Sequence, residues 1–206
     1  MAGKVAKRRI TKNAKKSDNA MFRMKVTLRN APLPIWRRLV IKTSTPLALV
    51  HECFQISMGW WDTHTHEFQS GGISYGAEDP NMDSSRYRDE SNFTLGDLAE
   101  KAGDTFVYLY DYGDDWFHDV VVEEVHEGEG EGFVTCLGGR RACPPEDVGG
   151  PPGYKDFLDK VEDPACDEGM ELLDWAGGDF DADSFDLRGV NLRLILMQQA
   201  LLGIQD

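Results

Sequence analysis

The chain has 206 residues, of which 41% are apolar, with ten Phe, five Trp and six Tyr, enough for one substantial core or two small ones sharing an interface. Its net charge of −14 is unevenly spread: residues 1–20 carry seven basic groups against Asp18, which leaves 15 basic and 35 acidic groups, a net of −20, in residues 21–206. Such a body repels phosphate backbones, so a nucleic-acid partner is expected only through residues 1–20, and no apolar run is long enough to span a bilayer.

The tail MAGKVAKRRITKNAKKSDNA has no apolar h-region and no periodicity, and reads as a disordered basic arm rather than an export signal. Residues 21–206 then read as one domain. FRMKVTLRN alternates in period two, placing Phe22, Met24, Val26 and Leu28 on one face of a strand. IWRRLVI is a second strand, with Arg37 and Arg38 available to the acidic body. Thr45-Pro46 opens a helix through PLALVHECFQISM with Leu49, Val50, Cys53, Phe54 and Ile56 on its apolar stripe, and Gly59 stops it.

In WWDTHTHEF the period-two spacing puts His64, His66 and Phe68 on one strand face. AEDPNMDSSRYRDESN reads as a polar loop. TLGDLAEKAG is a short helix with a capping box from Thr94 to Asp97. FVYLYDY and WFHDVVVEEV are strands joined at GDD, GEGEG is a turn, and FVTCLGG is a further strand. After the Pro- and Gly-rich RRACPPEDVGGPPGY loop come helices at YKDFLDKV and from about Pro164 to Trp175. The last helix has Leu187, Val190, Leu194, Ile195 and Leu201 as its apolar face. Strands dominate the first two thirds and helices the last, with no βαβ alternation, which makes the expected class α+β, a roll-like mixed or antiparallel sheet with helices packed on it.

Four cysteines and no export signal imply reduced thiols in a cytoplasmic protein, and the spacing of Cys136 and Cys143 does not suit a zinc knuckle. Candidate chemistry gathers in three places. In YDYGDDWFHD, Asp111, Asp114, Trp116 and His118 share a hairpin, and turn length decides which of them meet. A two-residue turn pairs Asp111 with Trp116 and Leu109 with His118, on one face; a three-residue turn sets Tyr112 against Trp116 and puts Asp111 on the other face from His118. In CPPEDVGG, two prolines fix the backbone, so Glu146 and Asp147 are presented rigidly, either to lock the loop or to bind a ligand. His64 and His66, with Asp111 and His118, are the candidate metal ligands should the fold bring them together.

LPIWRRLVI, MGWWDTHTHEF, YDYGDDWFHDVVVEE, CLGGRRACPPEDVGGPPGY and DFDADSFDLRGVNLRL together resemble the plasmid pRiA4b ORF-3-like family, over residues 21 to about 197. The family includes insertion-element passenger proteins named after resolvases. The resemblance implies a cytoplasmic α+β roll of bacteria and archaea and assigns no chemistry; the serine and arginine cluster of a serine resolvase is missing. Two positions depart from the family pattern: Thr65, where an apolar residue is usual between the histidines, and Ala182, where a proline is usual.

With no phosphate loop, nucleophile elbow or HExxH present, the expected function is a binding or interaction module for a protein partner or small ligand, in the setting of mobile elements. The alternative is a metal-dependent hydrolase or nuclease using the Asp/His/Glu cluster. A divalent metal is the one cofactor that enters, and no cofactor is firmly implied.

Overall fold

The structure, a computed structural model, describes residues 19–78, 85–128, 132–163 and 167–203. The basic arm, with the nucleic-acid contact assigned to it, lies outside these residues except at its last two positions. So do the middle of GEGEG, Cys166 and the first residues of the helix expected from Pro164.

Among the described residues eight strands form one mixed sheet: β1 (Ala20–Leu28), β2 (Trp36–Lys42), β3 (His66–Ser70), β4 (Ile73–Gly76), β5 (Tyr87–Asp89), β6 (Thr105–Tyr110), β7 (Trp116–Glu127) and β8 (Val134–Arg140). Their order is β5-β4-β3-β6-β7-β1-β2-β8, antiparallel except between β4 and β5. The helices are α1 (Leu47–Met58), α2 (Leu95–Leu98), α3 (Gly150–Val161), α4 (Asp167–Trp175) and α5 (Leu187–Leu202). The α+β class is therefore as expected.

Register explains the core. Val26 faces both Arg37 and Val120, and Met24 faces both Leu39 and Val122, so one alternating set from each strand lies on the same side of the sheet. Phe22, Met24, Val26, Leu39, Ile41, Tyr108, Trp116, His118 and Val120 line that side and are buried with Val50, Cys53 and Phe54 of α1. The other side carries charge: Arg38 pairs with Glu123 at 2.7 Å, Arg23 with Glu124 at 2.6 Å, and Arg29 with Asp119.

Several expectations need correction. β5 forms within the segment expected to be a loop, because Tyr87 and its neighbours pair in parallel with β4. His64 precedes β3, so it does not share a strand face with His66. On α5, Val190 and Leu194 are buried, but Ile195 and Leu201 are about half exposed, so the buried stripe is narrower than the apolar one. Arg37 is turned into the core by the same alternation that buries Leu39 and Ile41, and only Arg38 reaches an acidic side chain.

Candidate functional site

The β6–β7 connection is longer than either expected turn. Tyr110 faces Trp116 and Tyr108 faces His118, which leaves residues 111–115 as the loop. Asp111 and Asp115 adopt left-handed backbone conformations, with φ of 58° and 55°, which Asp tolerates better than most residues. One Asp111 oxygen accepts from the backbone N–H of Gly113 at 2.8 Å and of Asp114 at 3.3 Å, a side-chain-closed turn. This chemistry, rather than a tight hairpin turn, decides the register.

The consequence is that Asp111 and His118 part company. His118 is fully buried, its Nδ1 3.2 Å from the Tyr108 carbonyl and its ring edge-on to Trp60. Burial pushes its pKa down to about 4, so the ring is neutral, and its Nε2 has no hydrogen-bond partner among the described residues. Trp116 is likewise core, packed near Trp60. Both leave the candidate set as structural residues.

The 143–150 loop is locked by its neighbours. The Trp60 indole N–H donates to the Pro144 carbonyl at 2.9 Å, and Glu146 accepts from the Trp61 N–H at 2.7 Å and from the Tyr110 hydroxyl at 3.1 Å. Asp114 accepts from the Gly149 N–H at 3.1 Å, tying this loop to the 111–115 loop. Glu146 and Asp114 therefore act as structural locks, and none of Arg37, Arg38, Arg140 and Arg141 pairs with Glu146 or Asp147 among the described residues; Arg141 pairs instead with Asp183.

Those locks bring three donors together. His64 Nε2 lies 3.0 Å from Asp147 Oδ1 and 3.6 Å from Asp111 Oδ2, and one ligand atom from each residue falls within 4.8 Å of the other two. Asp111 is buried and Asp147 exposed, so the triad is anchored on one side and open on the other. The His64 Nε2 atom is sealed from solvent, yet neither carboxylate meets it with hydrogen-bond geometry. Ligand atoms around a tetrahedral zinc sit about 3.3 Å apart, given metal–ligand distances of about 2.0–2.1 Å, and the two His64–carboxylate distances bracket that spacing.

His66 goes elsewhere. It stacks on His51 of α1, with centroids 3.5 Å apart and planes 5° from parallel, and its Nε2 meets Glu90 at 3.0 Å. His51 uses Nδ1 on the Tyr108 hydroxyl and Nε2 on Asp62, both at 2.7 Å. Two parallel stacked rings cannot both aim an in-plane lone pair at one ion. This group, with Gln55 also donating to Tyr108 at 2.9 Å, is a hydrogen-bonded polar core. Burial, then the neighbouring His66, lowers His51 to about 4.

His51, Gln55, Asp62, Glu90, Tyr108 and Tyr110 are not among the residues that the sequence singles out. The usable signal was His51 and Gln55, four apart on the buried stripe of α1, polar groups that needed partners.

The chain is 32% identical over 173 residues to "Uncharacterized protein y4hQ" of Sinorhizobium fredii, covering 84% of this chain and 89% of that one. A crystal structure of a protein of unknown function, MM3350 from Methanosarcina mazei Go1, superposes with a TM-score of 0.74 at 29% identity, covering 84% of this chain and 98% of that one. The family described as plasmid pRiA4b ORF-3-like protein matches residues 20–189. With the match spanning the whole sheet and all three site loops, the chain belongs to the plasmid pRiA4b ORF-3-like family.

Proposed function

We propose that the protein is a binding module in which a divalent cation held by His64, Asp111 and Asp147 joins three loops and presents open coordination positions to a ligand or partner protein. The observation that supports this is the His64 Nε2, sealed from solvent and without a hydrogen bond among the described residues, beside two carboxylates at 3.0 and 3.6 Å. One imidazole and two carboxylates suit zinc, manganese or iron better than calcium, which prefers oxygen donors throughout. An accessory role in mobile elements accords with the family's plasmid-derived description and forms part of the proposal.

A metal-dependent hydrolase is the second reading, favoured by one feature. Three protein ligands with an exposed Asp147 leave room for a metal-bound water, the arrangement of catalytic rather than closed structural sites. Glu146, held by Tyr110, stands next in sequence to Asp147 as a candidate base.

Titration of chelator-treated protein with Zn²⁺ and Mn²⁺, followed by calorimetry and thermal unfolding, tests the site. The expected result is saturable binding that raises the unfolding temperature, weakened roughly tenfold or more in His64→Ala and Asp147→Asn. Asp147 is exposed, so its substitution leaves folding intact. Equal affinity in native protein and both variants, or no binding, would overturn the proposal. Hydrolysis of a phosphodiester by the metal-loaded protein, lost in Glu146→Gln, selects the second reading over the first.

A further inference from the structure

The 143–147 loop also walls a cavity of about 620 Å³ that His64 and Asp111 do not line. That volume falls in the range of small-molecule sites, about 300–1,000 Å³. Arg37, Trp60, Cys143, Phe180, Phe185 and Arg193 are among its lining residues.

Arg37 is the unusual member. It is 2% exposed, on the core side of β2, and has no carboxylate within ion-pair distance among the described residues. Its Nε donates to the Ser57 carbonyl at 2.6 Å, and Nη1 to the carbonyls of Trp36 at 2.9 Å and Arg140 at 3.0 Å. The guanidinium lies 4.3 Å from the Phe185 ring centre. Nη2 makes no hydrogen bond among the described residues, which leaves it the guanidinium nitrogen for an occupant of the cavity Arg37 lines. The ionisable groups closest in effect are the thiols of Cys143 and Cys136, and burial pushes both upward, Cys143 to about 11, so neither supplies a countercharge.

A buried cation without a counter-ion is costly, and carbonyl dipoles offset only part of that cost. The rim has the opposite character. Glu146, Asp147 and Asp186 line the cavity along with the exposed Arg193, a net negative balance, and Asp186 caps α5 through the Gly189 N–H at 2.9 Å. A dianion such as a phosphate monoester meets repulsion there, whereas a single carboxylate can pass and reach the guanidinium. Trp60, Phe180 and Phe185 supply apolar, aromatic contacts for the rest of such a molecule.

We infer that this cavity binds a small aromatic monocarboxylate, its carboxylate on Arg37 Nη2 and its ring between Trp60 and the Phe180 and Phe185 side chains. This site adjoins the cation triad through Asp147, which lines both, but His64 and Asp111 take no part in it and it needs no metal.

The test uses full-length, chelator-treated protein, titrated with benzoate and indole-3-acetate and followed by calorimetry and tryptophan fluorescence, with benzamide and phenyl phosphate as comparators. Saturable carboxylate binding, at least about tenfold tighter than the amide, is the expected result, since a charge-assisted contact is lost in the amide. Arg37→Met should abolish it. Because that change strips the donors from three carbonyl contacts, one buried and two partly buried, and can unfold the chain, Ala176→Trp serves as the second variant. It fills the cavity from a partly exposed wall, leaves Arg37 in place and should also abolish binding. No saturable carboxylate binding to native protein, unchanged binding by folded Ala176→Trp, or tighter binding of phenyl phosphate would each overturn the inference. Loss of metal binding in His64→Ala with carboxylate binding retained separates the two sites.

Discussion

Lowering the pH from 6.5 to 4 should strip several kcal/mol of folding stability from this protein, with His51 and His118 as the main histidine contributors. Both are buried neutral, with pKa values pushed down to about 4, whereas the unfolded chain protonates them near the ordinary value of about 6.5. Between those two values the unfolded state binds more protons than the folded one, so stability is fully present above about pH 6.5 and falls as the pH drops towards 4. Each ring contributes roughly 3 kcal/mol across that window. Urea unfolding at pH 7 and at pH 4.5 measures the effect. His118→Gln keeps a donor for the Tyr108 carbonyl but cannot titrate, so its loss of stability over the same interval should be smaller by about that amount. An unchanged pH slope in this variant would show that His118 is not held neutral.

Gly150→Ala should be a strongly damaging small substitution at the site. Gly150 has φ of 68°, and a Cβ there would lie 2.5 Å from the Asp114 carbonyl oxygen, a backbone atom that cannot swing aside. The 111–115 and 143–150 loops meet at this point, so the substitution forces them apart, at a cost of about 2–4 kcal/mol. Gly178→Ala is the control. Its φ is 92° but no atom lies within 4 Å of the added Cβ, so it reports backbone strain alone, about 1 kcal/mol. Thermal unfolding compares the two. If they cost the same, the close approach carries no weight. Because Asp111 and Asp147 sit on the two loops, Gly150→Ala should also weaken cation binding, and Gly178→Ala should not.

How much of this was legible in the sequence depends on which force decided each element. Where a half-buried strand alternates, as in Phe22, Met24, Val26 and Leu28, periodicity alone identifies the buried face. It was also sufficient for Arg37, which shares its parity with Leu39 and Ile41; the expectation that an arginine seeks an acid obscured what the spacing already said. The β6–β7 turn was not legible that way. Tyr108, Leu109 and Tyr110 are all buried, so β6 offers no alternation near its end, and an aspartate closing its own turn decided the register.

The triad was half legible. His64, Asp111 and Asp147 were each in the candidate set, but so were His66 and His118, which have the same side chains and different fates. Their separation follows from tertiary contacts: His66 has a stacking partner on α1, and His118 lies beneath Trp60. The double role of Pro144 to Gly150 resolved residue by residue, with Glu146 locking the loop and Asp147 left facing His64.

The sheet order also governs how the chain must assemble. β1 lies between β2 and β7, and the Arg29–Asp119 pair spans 90 residues, so the strand made first acquires one of its two neighbours only after most of the sheet has been synthesised. Closing such long-range pairings slows folding and leaves one edge of the β1–β2 hairpin exposed in the meantime. Arg23 and Lys25 put positive charge along that strand, and a charged edge is a poor template for another chain. Arg23, which pairs with Glu124 once β7 is in place, thus carries its charge unpaired on an open strand until then, which disfavours pairing with another chain.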